Sequence, residues 1–95
     1  MPTQLTFTRH ARIRSQQRAI HPRTSDLLWD FGSEMQHRGA RVLFFDKAAR
    51  RRLKDSLPPE EFRRMRRQDL AAYAVVGDAG QVVTVGYRVK RFRRP

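Results

Sequence analysis

The run Arg41-Val42-Leu43-Phe44-Phe45-Asp46 constrains the fold of this chain more than any other stretch. Side chains on a strand point alternately to two faces, so an unbroken apolar run must be covered on both. Such a strand needs neighbours, and the sequence offers them. Leu70 to Val76 and Gln81 to Tyr87 are β-rich and are separated by Gly77-Asp78-Ala79-Gly80, the pattern of a hairpin with a four-residue loop. Glu34 to Arg38 is a further strand, turning at Arg38-Gly39 into the apolar run. Residues 4–8 alternate polar and apolar, which gives a short strand or extended arm with Leu5 and Phe7 facing inward.

Helical signals precede and interrupt these strands. Thr8 suits the N-cap of a helix from Arg9 to about Arg18. His21-Pro22 stops it, because a residue before proline avoids the α region, and His21 is expected to cap its end. A second helix is expected from Ser25 to Phe31, capped by Thr24 or Ser25, with Leu27, Leu28 and Phe31 on one apolar face and Gly32 at its C-terminus. Trp29 is expected between helix and sheet, and Ala11, Ile13 and Ile20 should pack around the first helix.

Residues 47–57 carry Ala49, Leu53 and Leu57 at helical spacing, with Arg50-Arg51-Arg52 mostly on the wet side. Pro58-Pro59 breaks this helix, and residues 60–67 restart one with acids first and arginines last, in accord with the helix dipole. The expected architecture is therefore α+β. Two N-terminal helices pack on a twisted antiparallel sheet, and residues 47–67 form a helical insertion between central strands. At 95 residues, without repeats or a linker, the chain is one domain, 1–95, ending in a basic tail at 88–95.

Composition narrows the partners. Lys and Arg number 21 against nine acids, a net charge of +12, and most of these cations are Arg. Residues 47–67 alone hold nine bases and three acids, and residues 88–95 hold five bases and no acid. An excess of this kind favours polyanions. Guanidinium adds to that, since it forks onto phosphate and stacks on bases, whereas an ammonium does neither. The absence of Cys excludes disulfides, cysteine zinc sites and cysteine nucleophiles. No apolar run is long enough to span a membrane, and the first residues lack the apolar stretch of a signal peptide, so a cytoplasmic protein with no membrane partner is expected. No paired acids at metal-ligand spacing and no Gly-rich phosphate loop occur, and no cofactor is expected.

Cleaving a phosphodiester without a metal requires a base for the 2′-hydroxyl, an acid for the leaving oxygen and fixed cations for the phosphoryl charge. His carries protons near neutral pH, and Arg supplies the charge. His10, Arg14 and Arg18 recur at i, i+4 and i+8, one stripe of the first helix. Tyr87 and Arg88 could approach the same phosphate if the last strand ends beside that helix. Arg9, Arg18, Lys90, Arg91 and Arg93 are candidates for holding the flanking polyanion. His21 and His37 are lesser candidates. The competing reading is that His10 is an ordinary surface residue and that the charged stretches are solvated faces.

The residues Phe7-Thr8-Arg9-His10-Ala11, then Arg14, Arg18 and Ile20, then Asp26-Leu27-Leu28 and Gly32 resemble the opening of a family of small proteins of unassigned function. Its pattern is His-Ala-x-x-Arg-x-x-x-Arg-x-Ile. Val82-Val83-Thr84-Val85-Gly86-Tyr87-Arg88 is similar to that family's last strand. The family is grouped with RelE/ParE-like toxins in the barnase–EndoU–colicin–RelE fold group. The stretch from Lys47 to Arg67 departs from the shorter members, as does Ala19 where glycine is expected. The resemblance implies a toxin of a type II toxin–antitoxin module, a metal-independent endoribonuclease with His10 and Arg14 in the chemistry, Arg18 partly structural, and Tyr87 and Arg88 in support. It implies RNA, free or on the ribosome, and an acidic antitoxin as partners. Two alternatives remain open: a ParE-like toxin that inhibits a protein such as gyrase without catalysis, and an inactive RNA- or ribosome-binding module.

Overall fold

A computed structural model describes residues 6–88 of the chain. Leu5 and the candidates Lys90, Arg91 and Arg93 lie outside the described residues. The fold is α+β, with a four-stranded antiparallel sheet in the order β1-β2-β3-β4.

Helix α1 spans Arg9–Gln17, and the Thr8 hydroxyl accepts from the Ala11 N–H at 3.1 Å, satisfying one of the donors a helix start leaves open. The helix is not ended by His21. Ala19 takes a left-handed φ of 53°, the conformation in which glycine is at ease, and the chain reverses there. His21 instead begins the next helix, its Nδ1 accepting from the Arg23 N–H at 3.0 Å. Helix α2 spans Pro22–Phe31, three residues more than expected at its start, with proline at the first position where its missing N–H costs nothing. Thr24 and Ser25 are therefore buried inside α2 and cap nothing.

Strand β1 spans Ser33–His37 and β2 spans Ala40–Phe44, joined by two residues with positive φ, Arg38 at 50° and Gly39 at 79°. That is the tight turn whose twist matches a hairpin. Strands β3, Ala72–Val76, and β4, Val82–Tyr87, form the second hairpin, with a register shift beside Val76. The N-terminal segment adds a parallel bridge from Phe7 to Val82, with Thr8 N–H donating to the Val82 carbonyl at 2.9 Å. Between β2 and β3 lie α3, Lys47–Ser56, α4, Pro59–Arg64, and a four-residue α5, Arg67–Leu70.

The alternation along the ladders separates two sides. Leu43, Ala74, Val76, Val82 and Val85 join Ala11, Ile20, Leu27 and Leu28 in one core beneath α1 and α2. Phe45, Ala49, Leu53 and Leu57 extend it under α3. Val42 and Phe44 face the other side, as do Tyr73, Val75, Thr84 and Gly86 by register. The run that looked covered on both faces is so: Val42, Leu43 and Phe44 are all buried. Two apolar residues depart from expectation. Ile13 is 43% and Trp29 38% exposed, because each sits past the shoulder of the one face its helix buries.

Candidate functional site

The His10 stripe takes its position from how α1 meets the sheet. α1 begins where Thr8 is bonded to Val82 and ends where the Tyr87 hydroxyl donates to the Ala19 carbonyl at 3.3 Å, so it runs alongside β4 from one end to the other. Ala11 is fully buried against the core, and the Ser15 hydroxyl donates to the Ile20 carbonyl at 3.1 Å. The flank carrying His10, Arg14 and Arg18 turns the other way. Arg18 reaches over the edge of β4, where its Nη1 donates to the Val85 carbonyl at 2.8 Å. A Cβ added at Gly86 would collide with that nitrogen, which puts the guanidinium on the side shared by Gly86, Thr84 and Tyr73. Gly86 is thus small because Arg18 and the Tyr73 hydroxyl need the space.

His10 is exposed in the first turn of α1, and Arg14 is half-buried one turn later. Among the described residues neither side chain makes a hydrogen bond or ion pair. Arg9 is exposed beside them. The stripe therefore holds one exposed imidazole, one half-buried arginine without a bonding partner among the described residues and one guanidinium tied to the strand edge.

Tyr87 and Arg88 do not converge on that stripe. Strand alternation sends them to opposite sides. Tyr87 packs against the core beneath α1, with its hydroxyl on Ala19. Arg88 turns across the opposite side toward β2, where its guanidinium lies 5.7 Å from the Phe44 ring centroid and donates to the Phe45 carbonyl. The level of His10 and the level of Arg88 are separated by roughly 15 Å of β4. His37 ends β1, the strand at the far edge of the sheet, and His21 is occupied as a cap.

Arg88 lines instead a second feature, together with part of the basic stretch at 47–67 that the charge distribution marks in the sequence. Where β2 and β4 end, α3 walls an open cavity of about 1080 Å³ lined by Phe44, Lys47, Arg50, Arg51, Arg52 and Arg88, with Asp46 and Asp55. Asp46 is engaged, accepting from the Ala49 N–H at 2.8 Å as N-cap and from the Ser33 hydroxyl at 2.6 Å. Arg52 is engaged too, donating to the Phe31 carbonyl at 3.0 and 2.9 Å and so closing the C-terminus of α2. Arg50, Arg51 and Arg52 are all exposed, as expected of the wet side of α3, but the tie from Arg52 to a carbonyl 21 residues away is not legible in the sequence. Among the described residues no group of three His, Asp or Glu side chains could hold a metal ion, and no helix is long and apolar enough to cross a membrane. No family model matches the chain, and comparison with characterised proteins and with solved structures returns no match.

Proposed function

We propose that this chain is a metal-independent endoribonuclease acting as the toxin of a toxin–antitoxin pair in the cytoplasm. The observation that supports the reading best is the α1 flank: the exposed His10 imidazole one turn from the half-buried Arg14, neither engaged by another described residue, on a helix whose register is fixed by Thr8, Arg18 and Tyr87. His10 takes the proton of a ribose 2′-hydroxyl as that oxygen bonds to phosphorus. The P–O5′ bond breaks, the 5′-oxygen leaves with a proton from water, and a 2′,3′-cyclic phosphate remains. Arg14 meets the negative charge that builds on the phosphoryl oxygens. Arg18 holds the helix to the strand, so its effect on rate is through position. Tyr87 acts likewise, from the core side. Arg9 binds the neighbouring backbone.

The test is cleavage of a single-stranded RNA by the purified chain in a chelator, with the product ends mapped. The reading expects 2′,3′-cyclic phosphate ends and no cut at a position carrying a 2′-deoxyribose. Cuts that persist at the deoxy position would overturn the mechanism. Tight binding without cuts would leave the inactive RNA-binding reading, and growth arrest with intact RNA and a DNA-damage response would favour the ParE-like one.

A further inference from the structure

Helix α3 carries a surface that the α1 chemistry does not use. Lys47, Arg50, Arg51 and Lys54 fall at i, i+3, i+4 and i+7, so they share one stripe of the helix. Ala49 and Leu53 are fully buried on the opposite side, and Arg52 ties the helix to the Phe31 carbonyl, so packing holds the stripe outward. We infer that this stripe is a docking face for the sugar-phosphate backbone of RNA, a contact separate from the α1 flank. The choice of RNA as the polyanion rests on the reading above; binding, not cleavage, tests it.

All four cations are exposed, and none of their side chains makes a hydrogen bond or ion pair among the described residues. Arg50 and Arg51 line two open hollows, the cavity of about 1080 Å³ and another of about 530 Å³ that Lys54 and Phe62 of α4 also line. A strand can therefore reach them from either flank. Asp55, exposed at the border of the stripe, is shared by both hollows and leaves the cations in excess. Helix α4 is the contrast: its Arg63 and Arg64 share a turn and a half with Glu60 and Glu61, which offset their charge. The stripe runs about 10 Å along the helix axis, close to three steps of a stacked strand at about 3.4 Å per phosphate. Its chemistry favours nucleic acid over protein. A protein interface has a core depleted of charge and anchored by large apolar or aromatic side chains, whereas a nucleic-acid interface is polar and cationic. Among the described residues the exposed large hydrophobics, Ile13 and Trp29, are on α1 and α2, and the stripe holds none.

The experiment measures binding of a 2′-O-methyl oligonucleotide, which the proposed chemistry cannot cut, as a function of salt. The double variant Arg50→Gln/Arg51→Gln is compared with Arg63→Gln/Arg64→Gln, which removes the same charge from α4. Lys47→Gln/Lys54→Gln, at the two ends of the stripe, repeats the question should the first variant lose its thermal unfolding transition. The stripe variants are expected to bind on the order of tenfold more weakly near about 0.1 M salt, with a log–log salt slope shallower by about 1.4, and the α4 variant to stay near the parent. Equal weakening by stripe and α4 variants would overturn the inference, leaving only diffuse charge. Displacement of the oligonucleotide by polyglutamate as effective as by poly(U) would also overturn it, by making the stripe a site for acidic protein. If the parent cuts no RNA while this pattern holds, the nuclease reading falls and the docking face stands. If the parent cuts RNA while the stripe variants bind as tightly as it does, the docking face falls alone.

Discussion

At the scale of single residues, the fold spends its special positions on fixing α1. Ala19 occupies a left-handed turn that a side chain enters only at a cost. Ala19→Gly should therefore raise stability by up to about 1 kcal/mol, read from the urea midpoint at constant m-value. A variant less stable than the parent would show that the turn is held by something other than backbone preference. Gly86 and Arg18 make a second case. Gly86→Ala should displace Arg18 from the Val85 carbonyl. Arg18→Ala removes the same bond directly, at about 1.5–3 kcal/mol for a charged donor. The two losses should overlap in a double-mutant cycle, and strict additivity would contradict the shared bond. The spacing of His10, Arg14 and Arg18 was legible in the sequence because one helix carries all three. The job of His21 was not: a residue before proline both fails to continue one helix and starts the next, and only the Nδ1 bond to Arg23 decides between them.

At the scale of elements, the helices between β2 and β3 are held to the sheet by packing more than by charge. Leu53 is fully buried among Ala49, Leu57 and Phe45. Leu53→Ala should cost about 2–5 kcal/mol by denaturant unfolding, and a loss under 1 kcal/mol would mean that α3 is only loosely docked. The Arg23–Glu61 pair at 2.7 Å links α2 to α4, but both side chains are more than a third exposed, so removing it should hardly move the midpoint. Asp69 raises the pKa of Arg66, through their hydrogen bond first and its charge second. A raised cationic group contributes stability below its unfolded value and loses it only above its folded one. Both lie far above neutrality, so this pair gives no pH switch. Periodicity revealed α3 and the last hairpin because Ala49, Leu53 and Leu57, and the two Val-rich runs, repeat their pattern over several turns or residues. It missed α5, whose four residues are too few to show a period. It misplaced Trp29, since size and hydrophobicity do not say which shoulder of α2 faces the sheet.

At the scale of the whole molecule, charge and topology act together. The chain carries +12, and its cations occupy both the α1 flank, which runs along β4, and the α3 cavity where β4 ends. Binding to RNA should weaken steeply with salt in proportion to the phosphates met. An antitoxin that silences such a surface should be acidic and should cover it, so it should compete with RNA, whereas an antitoxin that leaves RNA binding intact would contradict that arrangement. The α+β class was legible from the order of helical and extended runs. The separation of Arg88 from His10 was not, because it depends on α1 running the length of β4 and on Arg88 turning toward Phe45, a contact across 43 residues of sequence. The account rests on His10 doing chemistry and not merely contributing to a basic surface. Its most direct test is the single-turnover cleavage rate of His10→Ala in chelator, at a protein concentration that saturates the RNA. The account predicts loss of at least about a hundredfold in rate with RNA affinity within about twofold of the parent. Cleavage at the parental rate would contradict it.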